Sequence, residues 1–169
     1  MPEVADFWES VVLLNNWHQH RISKLIVKKL FGTVSGKKIC ILGFAFKADT
    51  NDTRESPSID ICHELIEEGA KLSIYDPKVN PQKINQDLNI NNKKQFTWEI
   101  VGSVKQAAQD SDAIVILTEW EEFKNIPWRE VSKLLRKPSW VFDTRRISNL
   151  SDAKNNGLNI WLIGNSENS

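Results

Sequence analysis

Lys37-Lys38-Ile39-Cys40-Ile41-Leu42-Gly43 enters through two lysines, runs apolar and closes on glycine. A short apolar run bounded in this way has the pattern of a strand buried on both faces of a parallel sheet. Downstream, Ser56-Pro57 supplies a helix N-cap followed by proline at the one helix position that welcomes it. Ile59, Ile61, Cys62, Leu65 and Ile66 line the inner side of that helix, and Gly69 ends it. Residues 71–75 form a second strand, stopped by the turn Asp76-Pro77. A strand, a helix and a strand in this order call for a right-handed crossover and parallel pairing.

Further along, residues 113–118 (Ala-Ile-Val-Ile-Leu-Thr) are the strongest strand in the sequence, and residues 140–143 and 158–163 supply two more. Ser103 caps a short helix reaching Asp110, Pro127 opens one over 128–136, and another lies near 151–156. Residues 79–95 are rich in Asn, Gln and Lys with isolated Ile and Leu, which suits a surface excursion better than a core element. The expected fold is α/β: a Rossmann-like, doubly wound parallel sheet preceded by one long α-helix.

That helix is read over residues 2–31, where Val4, Phe7, Trp8, Val11, Leu14, Ile22, Leu25, Ile26 and Leu30 recur at three- and four-residue steps. It would be about 40 Å long at 1.5 Å per residue, longer than a domain of this size needs for its own core. Part of its apolar stripe is therefore expected to face a second copy of the chain in a homodimer. The plainer alternative is a helix folded back over the sheet. The expected division is 1–32 long dimerisation helix, 33–164 Rossmann-like domain, and 165–169 disordered tail.

Lys and Arg total 22 and so do Asp and Glu in the 169 residues, so no overall field favours nucleic acid or an anionic membrane surface. No apolar run approaches the roughly 20 residues of a membrane span, and a soluble protein is expected. The two cysteines sit in apolar contexts without metal-ligand or disulfide spacing, which suits a reducing cytoplasm. His18, His20 and His63 are scattered over helices, so no metal site is expected.

In open parallel sheets, ligands bind beyond the carboxyl ends of the strands. After residues 37–43 comes Phe44-Ala45-Phe46-Lys47, in the place of a dinucleotide-binding glycine loop but with only the first of three glycines. Ala45 hinders close approach of a pyrophosphate, which disfavours NAD there. Phe46 beside Lys47, with Arg54 ahead of the next helix, offers an aromatic wall for a base or ribose and cations for a diphosphate. The same residues also suit a solvated loop in which Lys47 and Arg54 pair with Asp49, Asp52 and Glu55. Thr144-Arg145-Arg146 bring two guanidinium groups to the same sheet edge, or form surface ion pairs. Thr118-Glu119-Trp120 face the cleft or, as the favoured reading, start the next helix. Asp76 stands where a dinucleotide fold keeps a ribose-binding acid, and is read here as an ordinary turn residue.

Residues 36–79, GKKICILGFAFKADTNDTRESPSIDICHELIEEGAKLSIYDPKV, resemble nearly continuously the opening of the C-terminal domain of the UDP-glucose 6-dehydrogenase family, above all its eukaryotic type. ILTEW at 116–120 and VFDTRR at 141–146 resemble the same family, and the first helix resembles the central helix that joins its two domains and forms its dimer core. The resemblance runs from about residue 2 to residue 164. It implies that Phe46, Lys47 and Arg145 contact the UDP-sugar and that Arg54 touches NAD across an interdomain cleft. Ala48 stands where lysine is frequent, and Thr144 where glycine is frequent, which narrows the approach to Arg145.

The family oxidises UDP-glucose to UDP-glucuronate in two NAD-dependent steps on a cysteine within a Gly-Phe-Gly-Gly-Ser-Cys stretch, which this sequence does not contain. NAD is held mainly by an N-terminal domain. Cys40 and Cys62 are expected to be buried, so the chain carries no catalytic residue and alone is expected to be inactive. Its expected partner is an N-terminal NAD-binding half, in cis or in trans. The alternatives are a stand-alone UDP-sugar-binding or regulatory module, a structural dimerisation domain, or part of a UDP-N-acetylmannosamine or GDP-mannose dehydrogenase.

Overall fold

The structure is a computed structural model that describes residues 2–89 and 97–164. Six α-helices and six strands alternate in the described residues: α1 (Pro2–Lys29), β1 (Lys38–Leu42), α2 (Pro57–Glu67), β2 (Lys71–Tyr75), α3 (Pro81–Leu88), β3 (Trp98–Ile100), α4 (Val104–Ala108), β4 (Ala113–Ile116), α5 (Trp128–Leu134), β5 (Trp140–Asp143), α6 (Leu150–Asn155) and β6 (Asn159–Leu162), with a short 3-10 helix over Glu121–Asn125 between β4 and α5. All strands pair in parallel in the order β3-β2-β1-β4-β5-β6. The order reverses between β1 and β4, which opens a crevice at their carboxyl ends. The expected α/β doubly wound sheet behind a long helix is the fold observed.

The centre is dry because the sequence makes it so. Ile39, Cys40, Ile41 and Leu42 of β1 and all four residues of β4 are buried on both faces. Ile61, Cys62 and Leu65 cover one side from α2, whose N-cap Ser56 accepts from Ser58 N. Ile26 and Leu30 carry the last turns of α1 into the same core, while Val4, Phe7, Trp8, Leu13, Leu14 and Trp17 stay more than half exposed. The helix stops two residues short of the expected Phe31, which adopts φ 68° ahead of Gly32. No helix among the described residues is long and apolar enough to cross a membrane.

Two elements correct the sequence reading. Residues 79–95, expected to lack a core element, contain α3, in which Ile84 and Leu88 are buried. Asn80 caps it and Pro81 follows, repeating the Ser56-Pro57 signal. Trp98–Ile100 is a sixth strand, added beside β2 through Leu72 N to Thr97 O and Val101 N to Ile74 O. The rest of the expected excursion, residues 90–95, and the expected disordered tail, 165–169, lie outside the described residues.

Candidate functional site

The loop leaving β1 is built around an internal carboxylate. Asp76 Oδ2 accepts the backbone N–H of Phe44 at 2.7 Å and of Ala45 at 3.0 Å, and the indole N–H of Trp120 at 3.1 Å. Its Oδ1 accepts from Lys78 N and Val79 N, both at 2.9 Å. Asp76 thus makes the expected Asp-Pro turn and also anchors the neighbouring loop. The N–H groups that a dinucleotide loop would turn toward a pyrophosphate are spent on Asp76, so the residues present do not fit NAD at this loop. Gly43 has φ 95°, and a Cβ there would lie 2.5 Å from the Thr118 side chain, so the glycine serves close packing of β1 on β4.

Beyond this knot, Phe46, Lys47 and Arg145 line one hollow of about 780 Å³, together with Leu117, Glu119 and Thr144. Asn16, His18 and Gln19 of α1 wall one side of it. The loop after β5 is organised by buried Asp143, which accepts from Arg145 N at 2.9 Å, from Ile147 N at 3.0 Å, and from Ser148 N and Oγ at 2.9 Å each. Arg145 Nε donates to Leu117 O at 2.9 Å, which pins the guanidinium across the end of β4. Thr144 turns its hydroxyl back to Ile116 O at 2.7 Å. The two arginines part: Arg146, at φ 56°, donates to Ile163 O at 3.1 Å.

Both readings of residues 118–120 have a counterpart: a short 3-10 helix follows over Glu121–Asn125, and the Glu119 side chain faces the hollow, where Oε1 accepts from Ala48 N at 3.3 Å and Oε2 lies 3.5 Å from Arg145 Nε. Its neighbour Trp120 is buried in a structural role. The wall contributed by α1 escaped sequence reasoning, because a helix face opposite a strand end is a tertiary relation.

Arg54 stands apart from Lys47 and Arg145. Its Nε donates to Asp52 Oδ1 at 3.0 Å and its Nη2 to Asp52 Oδ2 at 2.8 Å, in a fork at the surface. That pairing, led by the hydrogen bond from the Arg54 guanidinium, holds the Asp52 carboxyl down at about 2. Arg54 lines a separate hollow with Thr50, Asn80 and Lys83. Cys40 and Cys62 are wholly buried, and burial pushes both thiols up, against the opposing charge of Lys38 in the case of Cys40. Neither offers an accessible thiolate.

A family model described as the UDP-glucose/GDP-mannose dehydrogenase family, UDP binding domain, matches residues 40–150. The chain belongs to this family. The UDP-glucose/GDP-mannose dehydrogenase match runs from within β1 to the first residue of α6, and so takes in Phe46, Lys47, Arg54, Glu119 and Arg145. The chain is 39% identical to UDP-glucose 6-dehydrogenase 2 of Arabidopsis thaliana and 38% identical to UDP-glucose 6-dehydrogenase 1 of Glycine max, over 97% of its own length in both cases. It spans 37% of the length of each of these relatives. A UDP-glucose dehydrogenase from Pyrobaculum islandicum shares the fold at a TM-score of 0.67 and 20% identity, covering 89% of this chain and 31% of that one. An NDP-N-acetyl-D-galactosaminuronic acid dehydrogenase from Methanosarcina mazei does so at 0.69 and 22%, covering 87% and 28%.

Proposed function

We propose that this chain is the C-terminal, UDP-sugar-binding part of a UDP-glucose 6-dehydrogenase, which takes UDP-glucose to UDP-glucuronate in two NAD-dependent oxidations. The observation that carries this reading is the convergence of Phe46, Lys47 and Arg145 on one hollow at the carboxyl end of the sheet. Its volume of about 780 Å³ falls in the range that nucleotide-sized ligands occupy. Phe46, partly exposed, offers an apolar wall to base or ribose. Lys47 supplies a point charge to the diphosphate, and Arg145 a planar fork whose Nε is already anchored.

NAD is held mainly by a domain outside this sequence, in the same chain or another, which also brings the catalytic cysteine. Arg54 faces that domain and touches the cofactor across the cleft. With Cys40 and Cys62 buried, this chain alone turns nothing over. The division into a dimerisation helix over 1–32 and a binding domain over 33–164 belongs to the same reading, as does a cytoplasmic location. The exposed Phe7, Trp8, Leu14 and Trp17 support pairing of two copies through α1. That face also favours a second reading, a structural dimerisation domain without a working nucleotide site.

Titration with UDP-glucose by calorimetry separates the two. Heat that vanishes in Lys47→Ala supports the binding site, and a dimer that gives no heat favours the structural domain. Adding an N-terminal half with NAD and following NADH absorbance tests the enzyme assignment itself.

A further inference from the structure

The hollow is not a simple basic cup. Its ionisable wall opposes Lys47 and Arg145 with Glu55, Asp60 and Glu119, so acids outnumber the lysine and arginine. Glu119 is the acid built into the cationic end. Oε1 holds Ala48 N, the residue after Lys47, and Oε2 lies 3.5 Å from Arg145 Nε. That Oε2 is buried and has no hydrogen-bond partner among the described residues, while the Nε–H beside it is given to Leu117 O. A buried carboxylate oxygen without a donor is costly unless a nearby charge compensates it. Here the guanidinium charge of Arg145 fills that role.

We propose that Glu119 is a built-in counter-ion of Arg145, holding the loops after β1, β4 and β5 together in the free chain and lowering the affinity of the site for a nucleoside diphosphate. The proposal rests on the UDP-binding reading and adds a regulating residue to it. A diphosphate competes with a charge already satisfied: each phosphate oxygen that approaches Arg145 also approaches Glu119. Affinity is thereby held below what Lys47 and Arg145 would give alone, which favours release of the nucleotide product. A merely structural Glu119 makes the opposite prediction, since any change to it would slacken the loops and weaken binding.

The test is calorimetric titration of the 169-residue chain and its variants with UDP at two salt concentrations. Glu119→Gln keeps the shape and the acceptor for Ala48 N but removes the charge. It is expected to bind UDP about two- to fivefold tighter than the parent, the range of a partly exposed ion pair, with the gain shrinking at high salt. Glu119→Asp keeps the charge and is expected to show no gain. Glu119→Met is a second uncharged variant; because it also gives up the acceptor for Ala48 N, it is expected to gain less than Gln but in the same direction, and it carries the test should Gln fail to fold. If the parent binds UDP and neither uncharged variant binds it more tightly, or Asp gains as much as Gln, the counter-ion role is overturned while the UDP reading stands. No heat from the parent or any variant overturns both.

Discussion

Oδ2 of Asp76 lies 2.7 Å from the backbone nitrogen of Phe44, so a side chain at the end of β2 shapes the loop at the end of β1. Five donors converge on that one buried carboxylate. Asp76→Ala leaves buried N–H groups without an acceptor and is expected to lower stability by about 3 kcal/mol, read as a drop in the urea midpoint at unchanged slope. Asp76→Asn keeps one acceptor oxygen and loses less.

Gly43 is held by two constraints at once, φ 95° and a would-be Cβ 2.5 Å from Thr118. Gly43→Ala is expected to cost about 2–4 kcal/mol in urea denaturation. Trimming the neighbour with Thr118→Ala removes Oγ1 but leaves Cβ at 2.5 Å, the backbone nitrogen at 2.7 Å and the backbone strain, so the double variant recovers only a small part of the loss. Full recovery would show that the φ value carries no cost.

The sequence disclosed what depends on local pattern. Ile39 to Leu42 and Ala113 to Ile116 read as buried strands because their apolar runs are continuous, and Ser56-Pro57 as a helix start because cap and proline are adjacent. β3 escaped because it is three residues long with Glu99 at its centre, and only pairing with β2 makes it a strand. α3 escaped because a polar composition hid Ile84 and Leu88, four residues apart, although Asn80-Pro81 signalled its start. In the candidate site, Lys47 and Arg145 were legible as residues just past strand ends. Glu119 was legible only as one of two readings, since choosing between them depends on Arg145 folding back over Leu117 from 28 positions away. Asp76 looked like a turn residue because its bonds to Phe44 and Ala45 span more than 30 positions.

Arg145 is anchored through Nε, an atom lysine lacks. Arg145→Lys keeps the charge but loses the bond to Leu117 O and the planar fork. Under the UDP reading it weakens UDP-glucose binding about tenfold, the loss expected of a charge-assisted bond, with little change in melting temperature. A calorimetric affinity equal to the parent's would remove Arg145 from the site.

The exposed face of α1 is expected to bring two copies together. Light scattering behind a sizing column should give a mass near twice 19.4 kDa for the parent chain. Phe7→Asp with Leu14→Asp places two charges one heptad apart on that face and should return the mass to that of one chain. A parent that runs as a monomer at every concentration tried would rule out self-association through this helix.

Tyr75 is the only tyrosine, so its ionisation can be followed alone by absorbance near 295 nm. Burial raises its phenol above the usual value of 10.0, reinforced by a hydrogen bond to Glu122 and the negative charges of Glu122 and Asp76. In the unfolded chain the phenol ionises near that ordinary value. Between the two the folded state binds the extra proton, so this contribution to stability is fully present below about pH 10 and declines as pH rises toward the folded value. Tyrosinate absorbance should therefore lag behind a urea-unfolded reference as the solution is made alkaline. Glu122→Gln removes one of the two negative charges facing the ring and should narrow the lag; coincident folded and unfolded titrations would mean that the ring is solvated.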